Sequence, residues 1–314
     1  MVDDKAREIN GEQRKSMQAI ILAAGFGTRL RPYTLIRPKP LFPVLNRPLL
    51  HRLLDMLAAV GCRRIIVNCH HLATRVRDAL APYPEVICQY EPEILGTGGS
   101  LRLALNHLDD EPLLVMNGDI VHSIDPAALY EYHRCSGNMV TMAMHDCPRF
   151  NTVAVTGNHV ISFQPVSGAD RLAFTGIHVV EPQVLVEIPG QSFFHIIDLY
   201  QVLAGRGQVG ILRVDDAFWR DIGTPEDYLQ LHGELLTHPC ETAFSGEGEI
   251  RGNWLTAGGV HMATGVELCD WGCLGHGVRV GEGARLARCV VWDGAEIAPG
   301  SRIKDAIVTG SARD

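Results

Sequence analysis

Residues 22–32 read LAAGFGTRLRP and follow the apolar run Ala19-Ile20-Ile21. A continuous apolar run of this kind is typical of a strand that is covered on both faces of a sheet. The glycines of the segment let the chain turn tightly and direct backbone N–H groups inward, and Thr28 and Arg29 add donors that suit a phosphate. The segment therefore predicts an anion-binding loop at the end of a buried strand. A plain glycine turn with a solvated arginine is the alternative.

Two other kinds of phosphate loop do not fit this segment. A P-loop needs G-x-x-x-x-G-K-[ST], and no Lys-Ser or Lys-Thr follows at that spacing. A dinucleotide-binding fingerprint needs a third glycine three residues after Gly27, where Leu30 stands. The loop is followed instead by Lys39 between Pro38 and Pro40. Because prolines restrict the backbone on both sides, they predict a lysine that is held in place.

Short apolar runs alternate with helical patterns along residues 17–236. Leucines at helical spacing follow Pro48 and end at Gly61, and strands are predicted at 64–67, 86–90 and 113–116. This order favours right-handed crossovers and a mostly parallel sheet, which later antiparallel strands join.

After Leu236 the helical patterns end and glycine becomes frequent. Between Val266 and Ile303 aliphatic residues recur about every six positions, which is typical of the coils of a parallel β-helix. An irregular glycine-rich β-sandwich is the alternative. We therefore predict a polar N-terminal segment at 1–16, a main domain at 17–236, a linker at 237–252 and a C-terminal region of stacked coils at 253–314.

Composition argues against several classes of partner. The formal charge is −8 and no stretch concentrates Lys and Arg, which disfavours nucleic acid. The apolar runs are too short to span a bilayer, so no membrane is expected, and residues 1–16 lack the apolar centre of a secretory signal. Nine cysteines without a C-x-x-C pair are typical of buried thiols in a reducing cytoplasm. Cys269-x-x-x-Cys273 comes nearest to a zinc spacing, and zinc is disfavoured there.

Five motifs carry a resemblance to a known family. Leu22 to Leu30, followed by Pro38-Lys39-Pro40, resembles the signature of the sugar-1-phosphate nucleotidylyltransferases. Further matches, in the family's order, are Leu95-Gly96-Thr97-Gly98-Gly99, Asn117-Gly118-Asp119, Phe174-Thr175-Gly176-Ile177 and Trp219 to Glu226. The N-acetylmuramate-1-phosphate uridylyltransferases and mannose-1-phosphate guanylyltransferases are nearest in motif. The resemblance implies an α/β fold with a Rossmann-like, mostly parallel sheet of nucleotide-diphospho-sugar transferase type. A hexapeptide-repeat tail, here a short left-handed parallel β-helix, is also frequent in that family.

The resemblance implies that an NTP and a sugar 1-phosphate react to give an NDP-sugar and pyrophosphate, with Mg²⁺ as cofactor. The attacking phosphate oxygen is already an anion, so the rate depends on bringing two polyanions together and neutralising their charge. Arg29 is expected to contact the departing pyrophosphate, and Lys39 the α-phosphate or the sugar phosphate. Asp119 and Asp221, each following an apolar or aromatic run, are expected to bind Mg²⁺. A turn or capping aspartate is the alternative for each.

The resemblance also implies which residues contact the two substrates. The nucleotide, UTP or GTP, is expected at Leu22, Ala24, Gly25, Gly27, Thr28, Glu91, Gly96 and Thr97. The sugar is expected at Asn117, Asn151, Thr175 and Gly176, with a simple turn residue as the alternative for Asn151. Many relatives carry Glu-Lys-Pro before the Phe-x-Gly motif, but Ile161 to Pro165 has neither charge. The identity of the sugar therefore stays open.

A non-catalytic regulatory subunit that binds sugar nucleotides is the alternative function. Such proteins typically lose the arginine, the lysine or a metal aspartate, and all of these are present here. His276 between two glycines is similar to the catalytic histidine of hexapeptide acyltransferases. The repeat spans too few coils for the long cleft between subunits that those enzymes use, so acyl transfer is disfavoured.

The aliphatic period of the C-terminal region predicts faces that stack and an open end with exposed side walls. A second copy commonly closes such a surface, so we expect a twofold homodimer with Trp254, Trp271 and Trp292 as candidate anchors. Light scattering of the full-length chain should give twice the monomer mass. Truncation near Gly252 should lower that mass and leave at least a few per cent of transferase activity. A monomeric full-length chain would refute the assembly.

Overall fold

A computed structural model describes residues 17–190, 192–238 and 244–310 of the chain. The predicted N-terminal segment at 1–16 lies outside the described residues, as does part of the predicted linker. The α-helices in the described ranges are α1 (Leu49–Ala59), α2 (Ala73–Ala79), α3 (Gly96–Ala104), α4 (Pro126–Ser136), α5 (Pro182–Leu185), α6 (Ile196–Gly205) and α7 (Pro225–Thr237). Short 3₁₀ turns occur at Thr28–Leu30, Tyr33–Leu35, Lys39–Leu41 and Leu105–His107.

The strands fall into two groups along the chain. Those of the main domain are β1 (Gln18–Leu22), β2 (Pro43–Val44), β3 (Arg47–Pro48), β4 (Arg64–Cys69), β5 (Ile87–Tyr90), β6 (Leu113–Asn117), β7 (Ile120–His122), β8 (Val140–His145), β9 (Val153–Thr156), β10 (His159–Ser162), β11 (Asp170–Val180), β12 (Val209–Arg213) and β13 (Trp219–Asp221). Those that follow are β14 (Glu249–Arg251), β15 (Trp254–Thr256), β16 (His261–Met262), β17 (Glu267–Leu274), β18 (Arg279–Val280), β19 (Arg285–Val291), β20 (Glu296–Ile297) and β21 (Arg302–Val308).

The main sheet has nine strands in the order β5-β4-β1-β6-β11-β8-β12-β10-β9. Its first four strands are parallel, as the alternation of apolar runs and helical patterns predicts. The remainder is mixed, because β11 runs antiparallel to both β6 and β8, while β8 and β12 are parallel. Later antiparallel strands join the sheet, as expected, but they make it mixed instead of mostly parallel. An apolar run shows that a strand is buried but does not set its direction.

Parallel order at one end of this sheet gives the site its position. Strand β1 is flanked by β4 and β6, so that Leu22 is level with Asn68 and Asn117. All three strands therefore end at the same edge, where ligands bind in open α/β sheets. Helix α1 covers one face with its leucines, which are almost completely buried, because they recur at helical spacing as the sequence predicts.

The C-terminal region consists of short parallel strands that stack in register. Strands β15, β17, β19 and β21 form one sheet and β16, β18 and β20 a second. Residue 267 pairs with 285 and 285 with 302, so equivalent residues lie 18 and then 17 positions apart. Asp270, Arg288 and Asp305 occupy equivalent turns with positive φ, and the Arg288 guanidinium binds both carboxylates.

The C-terminal region shares a hydrophobic core with the main domain. Trp292 is 2 % exposed, and its ring lies 4.9 Å from that of Phe42 between ring centroids. Its indole N–H donates to the Tyr228 hydroxyl over 3.3 Å, and the Arg37 guanidinium lies 4.6 Å above its ring. Trp254 and Trp271 are also buried. All three tryptophans therefore pack in the interior of a single described chain. This burial excludes them as exposed anchors of a dimer interface.

In the ranges that the structure describes, none of the helices combines the length and hydrophobicity that crossing a bilayer would need.

Replacing Trp292 with Ala should lower the free energy of unfolding by about 3 to 5 kcal/mol, because it leaves a cavity between α7, Phe42 and the C-terminal region. Urea unfolding followed by circular dichroism and by fluorescence would measure this, and both probes should give one shared transition. Ile250→Ala is the control, because that side chain is 59 % exposed and should change little. A loss below about 1 kcal/mol, or two separate transitions, would contradict the shared core.

Candidate functional site

The glycine loop after β1 is shaped by close contacts. Gly27 has φ +59°, and a Cβ added there would lie 2.8 Å from Cγ2 of Thr34. The Thr34 hydroxyl donates to the Gly27 carbonyl over 3.0 Å, which closes the turn. A side chain at position 27 would therefore strain the backbone and collide with Thr34. The sequence-predicted tight turn is present, and its shape requires glycine.

A buried polar network supports this loop from behind. The Asn68 side-chain carbonyl accepts from the Ala23 N–H over 2.6 Å, and its amide donates to Glu91 and to Ser100 over 2.9 and 3.0 Å. Gln89 also donates to the Glu91 carboxyl, whose side chain has no exposed surface. Glu91 borders the cavity at the loop, but its described side-chain contacts are to the protein. They make it a support for Asn68.

A first cavity of about 390 Å³ lies above the loop, at the carboxyl edge of β1, β4 and β6. It brings together all of the residues that the sequence predicts for the nucleotide and for catalysis. The sequence-predicted residues that line it are Leu22, Ala24, Gly25, Gly27, Thr28, Arg29, Lys39, Glu91, Gly96, Thr97, Asn117 and Asp119.

A second cavity of about 500 Å³ adjoins the first. Arg29, Asn117 and Asp119 line both cavities, so the two spaces meet at these side chains. Of the other predicted residues, Thr175, Gly176 and Asp221 line the second. The structure therefore provides two adjoining compartments with a charged boundary between them.

Asn151 is not among the described residues that line the second cavity. Its side-chain carbonyl accepts from the Cys147 N–H over 2.9 Å, and its amide donates to Asp146 over 2.8 Å. These bonds close the loop between β8 and β9, as the alternative interpretation of a turn residue expects. The prediction that Asn151 contacts a sugar has no support in this geometry.

Thr175 and Gly176 are fixed by the protein around them. The Thr175 hydroxyl donates to the Ala143 carbonyl over 2.8 Å, and the Trp219 indole donates to the Thr175 carbonyl over 2.9 Å. Gly176 has φ +80°, and a Cβ there would lie 2.5 Å from Nδ2 of Asn117. Glycine at 176 therefore leaves the space that Asn117 occupies at the boundary of the two cavities.

Lys39, Asp119 and Asp221 form the charged boundary. The Lys39 ammonium lies 2.6 Å from Oδ2 of Asp119 and 3.4 Å from Oδ1 of Asp221. Asp119 follows β6, and Asp221 ends β13, which pairs with β7 so that Asp221 is opposite Ile120. This short ladder brings the two aspartates together although they are far apart in sequence. Burial raises the pKa of Asp221, while Lys39 lowers it and Asp119 adds to the rise.

The donor set at Asp119 and Asp221 fits a divalent cation that is shared with a substrate. Both carboxylates converge on one nitrogen, that of Lys39, so they can also converge on one cation. In the described residues there is no group of three or more His, Cys, Asp or Glu side chains that could hold a metal. Two hard oxygen ligands, completed by water and phosphate oxygens, are the kind of site that Mg²⁺ uses and zinc does not.

Sequence reasoning identifies the loops but not their supports. Asn68, Ser100, Arg149 and Gly223 line the cavities or hold their walls, and none belongs to a residue assignment made from the motifs. Asn68 carries a weak signal in the sequence, because it is a polar residue near the end of the apolar run that forms β4, next to β1. Arg149 lies in a loop with no local pattern that marks it.

The chain resembles proteins of known activity over most of its length. Residues 18–238 match the model of the family described as Nucleotidyl transferase. A mannose-1-phosphate guanylyltransferase of Mycobacterium tuberculosis is 29 % identical over 92 % of this chain and 83 % of its own. A UTP–glucose-1-phosphate uridylyltransferase of Synechocystis sp. is 27 % identical over 94 % of this chain and 87 % of its own.

A solved structure shares the fold at lower identity. A putative glucose-1-phosphate thymidylyltransferase from Bacillus anthracis, in complex with a sucrose, superimposes with a TM-score of 0.63. It is 20 % identical and the match covers 73 % of this chain and 98 % of that one. The fold, the ordered motifs and the family match agree, and the chain belongs to the nucleotidyl transferase family.

Proposed function

We propose that the protein transfers a nucleotidyl group from an NTP to a sugar 1-phosphate and releases pyrophosphate. The main support for this proposal is that the two cavities meet at Arg29, Asn117 and Asp119. Lys39 and Asp221 lie next to this meeting point. Two substrates that each carry phosphate can thus be held with their phosphates at one charged boundary. The curated relatives named above catalyse this class of transfer, and a regulatory subunit is disfavoured because the charged residues are all present.

The chemistry needs placement and charge more than proton transfer. A phosphate oxygen of the sugar 1-phosphate attacks the α-phosphorus in line, the bond to the β-phosphate breaks, and pyrophosphate leaves with the electron pair. Gly25 to Thr28 direct backbone and hydroxyl donors into the first cavity, and Arg29 contacts the departing pyrophosphate. Lys39 stabilises charge on the α-phosphate.

Asp119 and Asp221 would hold the divalent cation, and Mg²⁺ fits their oxygen ligands. When bound, the cation supplies positive charge that neutralises the phosphates. Lys39 already lies between the two carboxylates and keeps them together in the protein itself. The same lysine can therefore turn to a phosphate when a cation takes over this role.

The walls of the two cavities support the assignment of the substrates. The base, uracil or guanine, lies against Leu22, Ala24, Gly96 and Thr97, which border the first cavity. The sugar lies against Asn117 and the backbone at Thr175 and Gly176 in the second. We retain Glu91 as the support of Asn68 and place no sugar contact at Asn151.

We propose that the C-terminal region, predicted at 253–314 and described up to residue 310, is a short left-handed parallel β-helix that follows a main domain at 17–236 and a linker at 237–252. Its in-register strands and repeating turns of positive φ support this. We propose that the protein is a twofold homodimer. Because residues of this region belong to the shared core, the assembly is better tested on the full-length chain than on a truncation.

Pyrophosphate release tests the transfer directly. Four NTPs are incubated in pairs with the 1-phosphates of glucose, mannose, N-acetylglucosamine and N-acetylmuramate. At least one pair should release pyrophosphate in step with NDP-sugar formation. Binding without turnover throughout the matrix would support the regulatory alternative instead.

Asp119→Asn and Asp221→Asn should each lower kcat by at least about a hundredfold, because each removes a ligand charge from the cation. Steady-state kinetics at saturating Mg²⁺ measures this, with circular dichroism to check the fold. Asp216→Asn is the control, because this exposed carboxyl lies on the segment before β13 and outside the cavities. Near-normal turnover of either site variant would remove that residue from the metal site.

Arg29→Ala and Lys39→Ala should change different kinetic parameters. Loss of Arg29 should weaken the use of pyrophosphate in the reverse reaction, because its guanidinium contacts the leaving group. Loss of Lys39 should depress kcat in both directions, because it acts on the phosphate that is transferred. Forward and reverse kinetics of both variants give the comparison, and identical signatures would show that the roles are divided wrongly.

A further inference from the structure

Arg149 lines the second cavity but not the first. Among the described side chains that line this cavity, the cations are Arg29 and Arg149 and the anions are Asp119 and Asp221. Arg29 also borders the first cavity, where the triphosphate is proposed to bind. Without Arg149 the lining of the second cavity would carry more negative than positive charge. Such a lining would repel a dianionic substrate.

Arg149 is held in one orientation by two neighbours. Its Nη1 donates to Oδ1 of Asp227 over 2.6 Å and its Nη2 to Oδ2 over 3.2 Å. Its guanidinium carbon lies 4.9 Å from the centre of the Phe150 ring. A guanidinium has five N–H donors, so this two-point contact leaves others for a ligand. The side chain is 59 % exposed and therefore accessible from the cavity.

Asp227 is itself fixed beside the charged boundary. It lies in the first turn of α7, where Thr224 is the N-cap: its hydroxyl accepts from the Asp227 backbone N–H and donates to the Asp227 carboxylate. A Cβ added to Gly223 would lie 2.8 Å from Asp221, 3.1 Å from Asp227 and 3.2 Å from Arg29. The absence of a side chain at 223 thus lets these charged groups approach each other. Asp227 first, and also Asp221, raise the pKa of Arg149.

We infer that Arg149 binds the phosphate of the sugar 1-phosphate in the second cavity and that Asp227 positions its guanidinium. The planar fork of arginine matches two phosphate oxygens at once, which a sugar hydroxyl does not offer. Arg149 lines the cavity together with Asp119 and Asp221, where the reacting phosphates meet. The inference rests on the proposed function and assigns a specific contact within it.

Three variants test the contact by kinetics, using the pair of substrates that gives the fastest pyrophosphate release. Arg149→Ala should raise KM for the sugar 1-phosphate at least about tenfold and leave KM for the NTP within about twofold. Arg149→Lys should give a KM for the sugar 1-phosphate between those of the wild type and Arg149→Ala, because the point charge of lysine replaces the planar fork of arginine. Asp227→Asn should raise the same KM by less than Arg149→Ala, since it loosens the guanidinium without removing it.

Arg220→Ala is the matched control. Arg220 is also partly exposed, pairs with an acidic residue of α7, Glu234, and lies over a phenylalanine ring, that of Phe218. It does not line either cavity among the described residues. Its removal should leave both KM values unchanged, which separates a local charge effect from a contact with substrate.

Calorimetric titration decides the question without turnover. The probes are the 1-phosphates of glucose, mannose and N-acetylglucosamine, each beside its free sugar. The 1-phosphate that binds best to the wild type should lose at least about tenfold in affinity with Arg149→Ala, and Arg220→Ala should bind it normally. Equal affinity of wild type and Arg149→Ala, no binding to the wild type, or an equal loss for the free sugar would overturn the assignment. A chain that binds a sugar 1-phosphate through Arg149 but never releases pyrophosphate would refute the proposed function and leave the contact standing.

Discussion

The site depends on one ammonium group between two carboxylates. Asp119 and Asp221 come from segments about a hundred residues apart, and two like charges this close repel unless a cation lies between them. Lys39 supplies that cation at 2.6 and 3.4 Å. Its side chain is only 9 % exposed, and the 3₁₀ turn that carries it begins directly after Pro38. The same contact holds the two carboxylates together at the boundary of the two cavities.

The sequence predicts the local parts of the fold and misses the long-range pairings. Strand β1 and helix α1 follow from an apolar run and from leucine spacing, because both signals lie within a few residues. The direction of β11 does not follow, since its apolar residues bury equally well beside β6 in either sense. The short ladder of β7 and β13 is also invisible, although it places Asp221 opposite Ile120. Three-residue strands carry no periodicity of their own.

The candidate site was predictable wherever backbone shape required a particular residue. Gly27 and Gly176 are glycines because positive φ and close neighbours leave no space for a side chain. Residues that act through others gave no such signal. The contacts of Glu91 with the base and of Asn151 with the sugar stay predictions, because in the structure Glu91 bonds to Asn68 and Asn151 bonds within its own loop. Arg149 carries no signal in the sequence, because its orientation depends on Asp227, a residue from another element.

The stacked turns of the C-terminal region limit how this part of the protein can change in length. Asp270, Arg288 and Asp305 stand one above another, and each ladder repeats after 18 or 17 residues. An insertion or deletion of a whole coil would preserve the inward face of every strand and the charged column at the corner. A shift by an odd number of residues within a strand would instead turn the aliphatic side chains of that strand outward. This region can therefore grow or shrink over evolutionary time in units of one coil.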